Sequence, residues 1–164
     1  MKRQSKFDNA TLEELERSNW GEPTYQSHLV TECHRLRRVQ LRLLTLEDLR
    51  ILIGQSIGLQ FLVPLAVKQL QRNPLAEGDF FPGDLLCALL RVEPEFWEGH
   101  TDARNQVAAI SERARELAAP EGKVVVRALE EALSVFSHGG SGGGRRIAPS
   151  CGVSRRRASS RSRS

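Results

Sequence analysis

Apolar residues recur along this chain at intervals of three and four, the spacing of one face of an α-helix. Thr11-Leu12-Glu13-Glu14 sets a hydroxyl three residues before a carboxylate and predicts a helix start, with a short helix to about Arg17. Trp20-Gly21-Glu22-Pro23 breaks it, because a proline pushes the residue before it out of helical geometry. A second helix is predicted from Tyr25 to about Val39, with Leu29, Cys33 and Leu36 on one side and Arg35, Arg37 and Arg38 on the other. Thr45 caps a third, whose first turn carries Glu47 and Asp48 where the helix dipole favours negative charge. Leu46, Leu49, Ile53 and Ile57 form its apolar face, and Gly58 stops it.

Leu59 to Val67 is apolar on nearly every side, which predicts a centrally buried helix with Pro64 tolerable only near its first turn. Asn73 to Asp79 gathers Pro, Gly, Asn and Asp into a loop. Pro82-Gly83-Asp84 opens a helix through Leu85, Leu86, Leu89 and Leu90 to Arg91, and Pro94 starts a short one carrying Phe96 and Trp97. Thr101 to about Ala119 keeps Val107, Ile110, Ala114 and Leu117 in register, and Val125, Leu129, Ala132 and Phe136 mark a last amphipathic helix. Lys123-Val124-Val125-Val126 is also compatible with a strand. It has no evident partner strand and is read as helix.

The fold class predicted is all-α: one compact helical bundle of about six to seven helices. It occupies residues 11–137, between a flexible start (1–10) and a Gly/Arg/Ser-rich disordered tail (138–164). With 164 residues and 40% apolar content, one hydrophobic core is expected. The basic start Met1 to Lys6 leads into no apolar run of the kind a secretory signal requires, so the cytoplasm is the expected location. No stretch has the roughly eighteen apolar residues of a membrane-crossing helix.

The formal charge of +4 changes meaning once it is mapped. From Gly139 onward there are seven arginines and no acid, whereas residues 1–138 hold 17 basic against 20 acidic side chains, a net −3. Residues 43–138 carry 9 basic and 14 acidic groups, while Arg35 to Arg42 is purely basic. The acidic face is the expected contact for a cationic partner. The arginine-rich tail would attract nucleic acid weakly and without sequence preference, which by itself is no function.

Cys33, Cys87 and Cys151 lie 54 and 64 residues apart, too scattered for a disulfide framework or a clustered zinc site, and are read as reduced thiols. His28 and Glu32 share a helical face beside Cys33 and His34, but no second cluster closes a metal site, so no metal and no cofactor are expected. Gly54-Gln55-Ser56-Ile57-Gly58 lacks the Lys and Ser/Thr of a phosphate loop, and no nucleophile elbow or zinc-protease motif occurs. No catalytic residue is assigned. The strongest acidic constellation runs from Glu77 to Asp84, with Asp79 between them and Phe80 and Phe81 interleaved. Its spacing departs from a calcium loop. Two readings overlap there: a capping loop with Phe80 and Phe81 tucked into the core and Asp84 bonding helix amides, and an acidic recognition patch for a basic partner.

Five ordered blocks carry a resemblance. Trp20-Gly21-Glu22-Pro23, Cys33-His34-Arg35-Leu36-Arg37, Leu46 to Ile51 with Ile53-Gly54-Gln55, Gly58-Leu59 with Pro64-Leu65-Ala66, and Asn73 to Leu86 resemble contact-dependent growth inhibition system immunity proteins over about residues 11–100. The resemblance implies a non-enzymatic cytoplasmic protein that binds a toxin domain delivered by a sibling cell and blocks it. Such toxins are often nucleases, whose basic clefts suit a net-acidic inhibitor. Glu22, Glu77, Asp79 and Asp84 are the candidate partner-binding residues. Tight binding also needs an apolar anchor, and Trp20, Tyr25, Phe80, Phe81 and Trp97 are the candidates. The stretch from Gly139 to Ser164 departs from the helical ending such a protein should have.

Two rivals were weighed. A helix-turn-helix DNA binder would place its recognition helix after Gly58, but that helix must offer polar side chains near its N-terminus, and only Gln60 qualifies. A small hydrolase would need a polar pocket that no motif advertises. Patterning assigns no oligomeric state.

Overall fold

The computed structural model describes residues 7–23 and 27–138. Expectations for Met1 to Lys6, Tyr25, Cys151 and the Gly/Arg/Ser-rich tail lie outside the described residues. Eight α-helices stand among them, two only five residues long, where about six to seven were predicted: α1 (Leu12–Glu16), α2 (His28–Leu36), α3 (Leu46–Gly54), α4 (Leu59–Arg72), α5 (Asp84–Leu90), α6 (Pro94–Glu98), α7 (Thr101–Ala118) and α8 (Lys123–His138). Short 3-10 turns occupy Leu41–Leu43 and Ala119–Glu121. The all-α expectation holds; the β-type pairing among the described residues is one isolated bridge, Thr11 with Gln40. No helix among them is long and apolar enough to cross a membrane.

Local chemistry sets the helix starts. Thr11 accepts from the Glu14 amide at 3.2 Å while the Glu14 carboxylate accepts from the Thr11 amide at 2.8 Å, the reciprocal box predicted for α1. Thr45 and Asp48 repeat it at α3, with the same 3.2 and 2.8 Å separations. The Lys123-Val124-Val125-Val126 run is helical, with Val125 buried and its neighbours on the wet side.

The central helix is α5, which lies against α3 on one side and α8 on the other. Leu85, Leu86, Cys87, Leu89 and Leu90 are all buried. The expectation that Leu59–Val67 forms the all-round buried helix is corrected. Helix α4 continues to Arg72, packs on α7, and keeps Gln60, Pro64, Lys68 and Gln69 exposed while Leu62, Val63, Ala66, Val67 and Leu70 face the core. Pro64 also lies beyond the first turn, as its sixth residue. The helix tolerates it because the bond it cannot make belongs to the Gln60 carbonyl, on the exposed side where water can serve.

Two further departures move residues inward. Phe7 to Ala10 belong to the stretch predicted flexible, yet Phe7 packs on Phe61 with ring centroids 5.8 Å apart. The Ala10 carbonyl accepts from Leu41 N at 2.9 Å, which ties this strand of chain to the turn after α2. Helix α2 stops at Leu36, short of Val39, and the chain turns so that Arg37 is only 2% exposed instead of lying on the polar face. Gly58 begins α4 at φ +62°, and a Cβ there would sit 2.7 Å from Leu12 Cδ2, so α1 docks against a position that admits no side chain.

Candidate functional site: an acidic loop on an arginine pedestal

Helices α3 and α5 together hold the loop between α4 and α5. At the edge of their packed apolar faces lies Arg50, whose guanidinium bonds the Glu47 carboxylate at 2.6 Å (Nε) and 2.5 Å (Nη2) and approaches Asp84 at 3.8 Å. Spacing of three on one helix brings Glu47 and Arg50 to the same face. Glu47 then reaches across to accept from the Asp79 amide at 3.1 Å. From the other side, Asp84 accepts from the amides of Gly78 at 2.7 Å and Phe80 at 3.2 Å. Three successive loop amides are thereby fixed by two carboxylates, and Arg50 offsets part of their charge. Its hydrogen bonds hold the Glu47 carboxyl below its ordinary value, and Glu47 in turn raises Arg50.

This geometry requires glycine at position 78. A Cβ there would collide with the Glu47 carboxylate, which Arg50 holds in place, and would press on Asp84 and on the Glu47 Cα at 3.3 Å, so loop and helix would have to move apart. The loop therefore runs close over the first turn of α3 and turns outward. Glu77 and Asp79 are exposed, and Phe80 is 69% exposed with Arg50 under its ring, the guanidinium carbon 4.4 Å from the ring centroid. Beside Phe80 a recess of about 330 Å³ is lined by Gln55, Ser56, Phe81 and Arg91 among others.

The capping-loop reading is thus half right. Phe81 does pack against the core, but Phe80 stands in solvent, and Asp84 bonds loop amides instead of helix amides. Asp84 is 4% exposed, so of the four candidate contacts it shapes the loop from within. Glu77 and Asp79 face solvent on that loop. Glu22 is well exposed elsewhere, paired with Arg38 at 3.6 Å. Sequence reasoning passed over Glu47 and Arg50 as site residues, although their spacing of three was a usable signal.

A second cluster joins the segment after α1 to α2. Arg37 pairs with Glu16, donates to the Ser18 carbonyl at 2.8 Å and lies 3.9 Å from the Trp20 ring centroid. His34 packs edge-on to Trp20 at 5.3 Å and its Nδ1 donates to the Gly21 carbonyl at 3.1 Å. Arg38 reaches the same carbonyl at 3.1 Å. Glu32, weighed above with His28 as a metal-ligand pair, is held by Arg35 at 2.5 Å, and this bond lowers its carboxyl below the ordinary range. Among the described residues no three His, Cys, Asp or Glu side chains converge on a metal-sized position. Burial pushes the Cys87 thiol up to about 11, which keeps it protonated and inert.

A cleft of about 570 Å³ between α4 and the start of α7 is the larger concavity, with Lys68, His100 and Asp102 in its lining. There His100 stacks on Phe96 at 4.1 Å and gives its Nδ1 proton to the Phe96 carbonyl at 2.7 Å. The ring is engaged as a structural element, and three of the four described histidines, 34, 100 and 138, each bond a main-chain carbonyl.

Comparison with known proteins bears on which of these features is the working one. The family model described as CDI immunity proteins matches residues 14–107. No curated protein and no solved structure matches the chain. The matched stretch contains both arginine clusters and the whole acidic loop, and stops within α7, although α8 beyond it supplies Val125, Leu129 and Ala132 to the core. Since the match covers more than half of the chain, this protein belongs to the CDI immunity proteins, the immunity partners of contact-dependent growth inhibition.

Proposed function

We propose that this protein acts in the cytoplasm as a non-enzymatic inhibitor, binding the toxin domain of its cognate contact-dependent growth inhibition system, a nuclease, and covering a basic surface on it. Family membership supports the toxin partner. The observation that carries the surface is the loop from Glu77 to Phe80, held rigid from beneath by Glu47, Arg50 and Asp84 while its own carboxylates point outward. A preordered loop loses little further entropy on docking, so its contacts convert efficiently into affinity.

Charge supports the nuclease reading. The described residues carry 14 basic and 20 acidic side chains, and a domain that cuts nucleic acid must present cations to phosphate. Complementary charge mainly accelerates encounter and selects the partner. Direct contact falls to Glu77 and Asp79, with Glu22 as a separate exposed acid, while Asp84 contributes by holding the loop. Nucleic-acid binding through the arginine-rich tail would be weak and incidental. The helix-turn-helix alternative gains nothing here, since the first turns of α4 keep Leu59 and Phe61 half-buried and Leu62 and Val63 buried.

Co-purification of the full chain with the toxin domain encoded immediately upstream, in moderate salt, tests the proposal. A one-to-one complex that abolishes toxicity is the expected result. Absence of a complex, with the tail-deleted protein retained on DNA instead, would overturn it in favour of nucleic-acid binding.

A further inference from the structure

Five aromatic residues are candidate anchors in the sequence, and the fold separates them. Trp97 is buried at 3% exposure, Phe81 packs on the core, and Trp20 is half-covered by Arg37 and His34. Tyr25 lies outside the described residues. Phe80 alone of the four described rings is exposed, and it does not hang free. Arg50 lies beneath it, its own amide is held by Asp84, and the amides of the two residues before it, Gly78 and Asp79, are bonded by Asp84 and Glu47. An exposed phenyl ring is ordinarily a cost in hydration, and here five polar contacts keep it outward and oriented.

We propose that Phe80 is the anchor of the toxin interface, inserting its open face into an apolar socket on the toxin whose rim is basic and meets Glu77 and Asp79. This rests on the reading of the partner as a toxin domain and adds which side chain carries the affinity. Interface energy concentrates in a few aromatic or arginine side chains that become fully desolvated, ringed by polar contacts that exclude water. Phe80 with its two flanking carboxylates has that layout. Arg50, which the docked toxin would also cover, already has Glu47 and Asp84 as partners and is not left as an unpaired buried charge. Arg91, which lines the recess beside the ring, adds a cation at the edge of the same surface. The same carboxylates disfavour other occupants, since Glu77 and Asp79 repel a nucleic-acid backbone and an anionic bilayer alike.

The test compares three full-length variants against the cognate toxin domain by surface-immobilised kinetics. Phe80→Ala should raise the dissociation rate about 100-fold with little change in association, the pattern of a lost anchor. Phe80→Trp should restore slow dissociation to within about tenfold, because the ring and its stacking are kept. Glu77→Lys combined with Asp79→Lys should instead slow association and abolish its dependence on salt. A wild-type complex whose dissociation changes less than about threefold in Phe80→Ala overturns the anchor and leaves the toxin partner standing. No complex with the wild-type chain overturns both. Because Phe80 makes no core contact, matching circular dichroism of Phe80→Ala and wild type is expected, and a lost fold would show the ring to be structural and overturn the inference.

Discussion

Arg37 and Arg50 are built alike: each holds a carboxylate and lies over an aromatic ring. They differ in which way the assembly faces. Around Arg37 everything turns inward, with the guanidinium 2% exposed and Trp20 half-buried against it. Around Arg50 the charged groups turn inward and the ring turns out, leaving Phe80 69% exposed. The same cation–aromatic device therefore does two jobs, closing a chain crossing in one place and presenting an apolar group to solvent in the other. Burial decides which. A cation–π contact at an exposed site is worth about 0.5–1 kcal/mol, whereas deleting one partner of a buried ion pair costs roughly 3–5 kcal/mol.

The largest effect should come from the inward cluster. Arg37→Met keeps the apolar stem but leaves Glu16 without its counter-charge and the Ser18 carbonyl without its donor. Glu16 retains a side-chain exposure of 22%, so water can partly compensate and the low end of that range applies. Loss of about 3 kcal/mol should lower Tm on the order of 10 °C in a thermal melt. A shift below about 2 °C would show that the two clusters differ in appearance only.

Legibility in the sequence divided along the same line. The helix starts at Thr11 and Thr45 were legible because cap and carboxylate lie three residues apart or less. The central buried helix was not, since the pattern places it at Leu59–Val67 instead of at α5 and both runs are equally apolar in the chain. Nor was the inward turn of Arg37. A helical repeat carried past Leu36 puts that residue on the wet face, and the partners that reverse it, at positions 16, 18 and 20, belong to a segment whose approach no local pattern announces. For the loop, the acids were legible as an acidic patch, yet their division of labour was not. Asp84 and Asp79 look equivalent in the chain. Only the folding of α3 against α5 assigns the first to loop amides and leaves the second in water. Phe80 illustrates the limit, since apolar character predicts burial, whereas the loop that carries it is bonded at the neighbouring Asp79 amide by Glu47, 32 residues away in the chain.

A smaller effect should separate presentation from folding. Gly78→Ala places a Cβ against the Glu47 carboxylate and main chain, so the loop must leave its seat while the helices below it remain packed. Toxin affinity should fall about tenfold, equivalent to about 1.4 kcal/mol. Titration calorimetry would measure this, and Tm should move by less than about 4 °C. Equal damage to binding in Gly78→Ala and Arg37→Met at matched folded fraction would break the contrast, because it would make presentation a property of the whole fold.

The finest distinction is electrostatic. Arg50 holds the Glu47 carboxyl below its ordinary 4.5, so that carboxylate binds fewer protons in the folded protein than in the unfolded chain. Its contribution to stability is then complete above 4.5 and disappears as the pH falls through the lowered folded value. The reporter is the Asp79 amide, which donates to Glu47 and to no other described side chain. Its proton chemical shift should titrate with a midpoint below 4.5, and the inflection should vanish in Glu47→Gln. A midpoint at or above 4.5 would mean that Arg50 does not grip Glu47 in solution. The pedestal under Phe80 would then be loose, and the ring would be exposed by default instead of by construction.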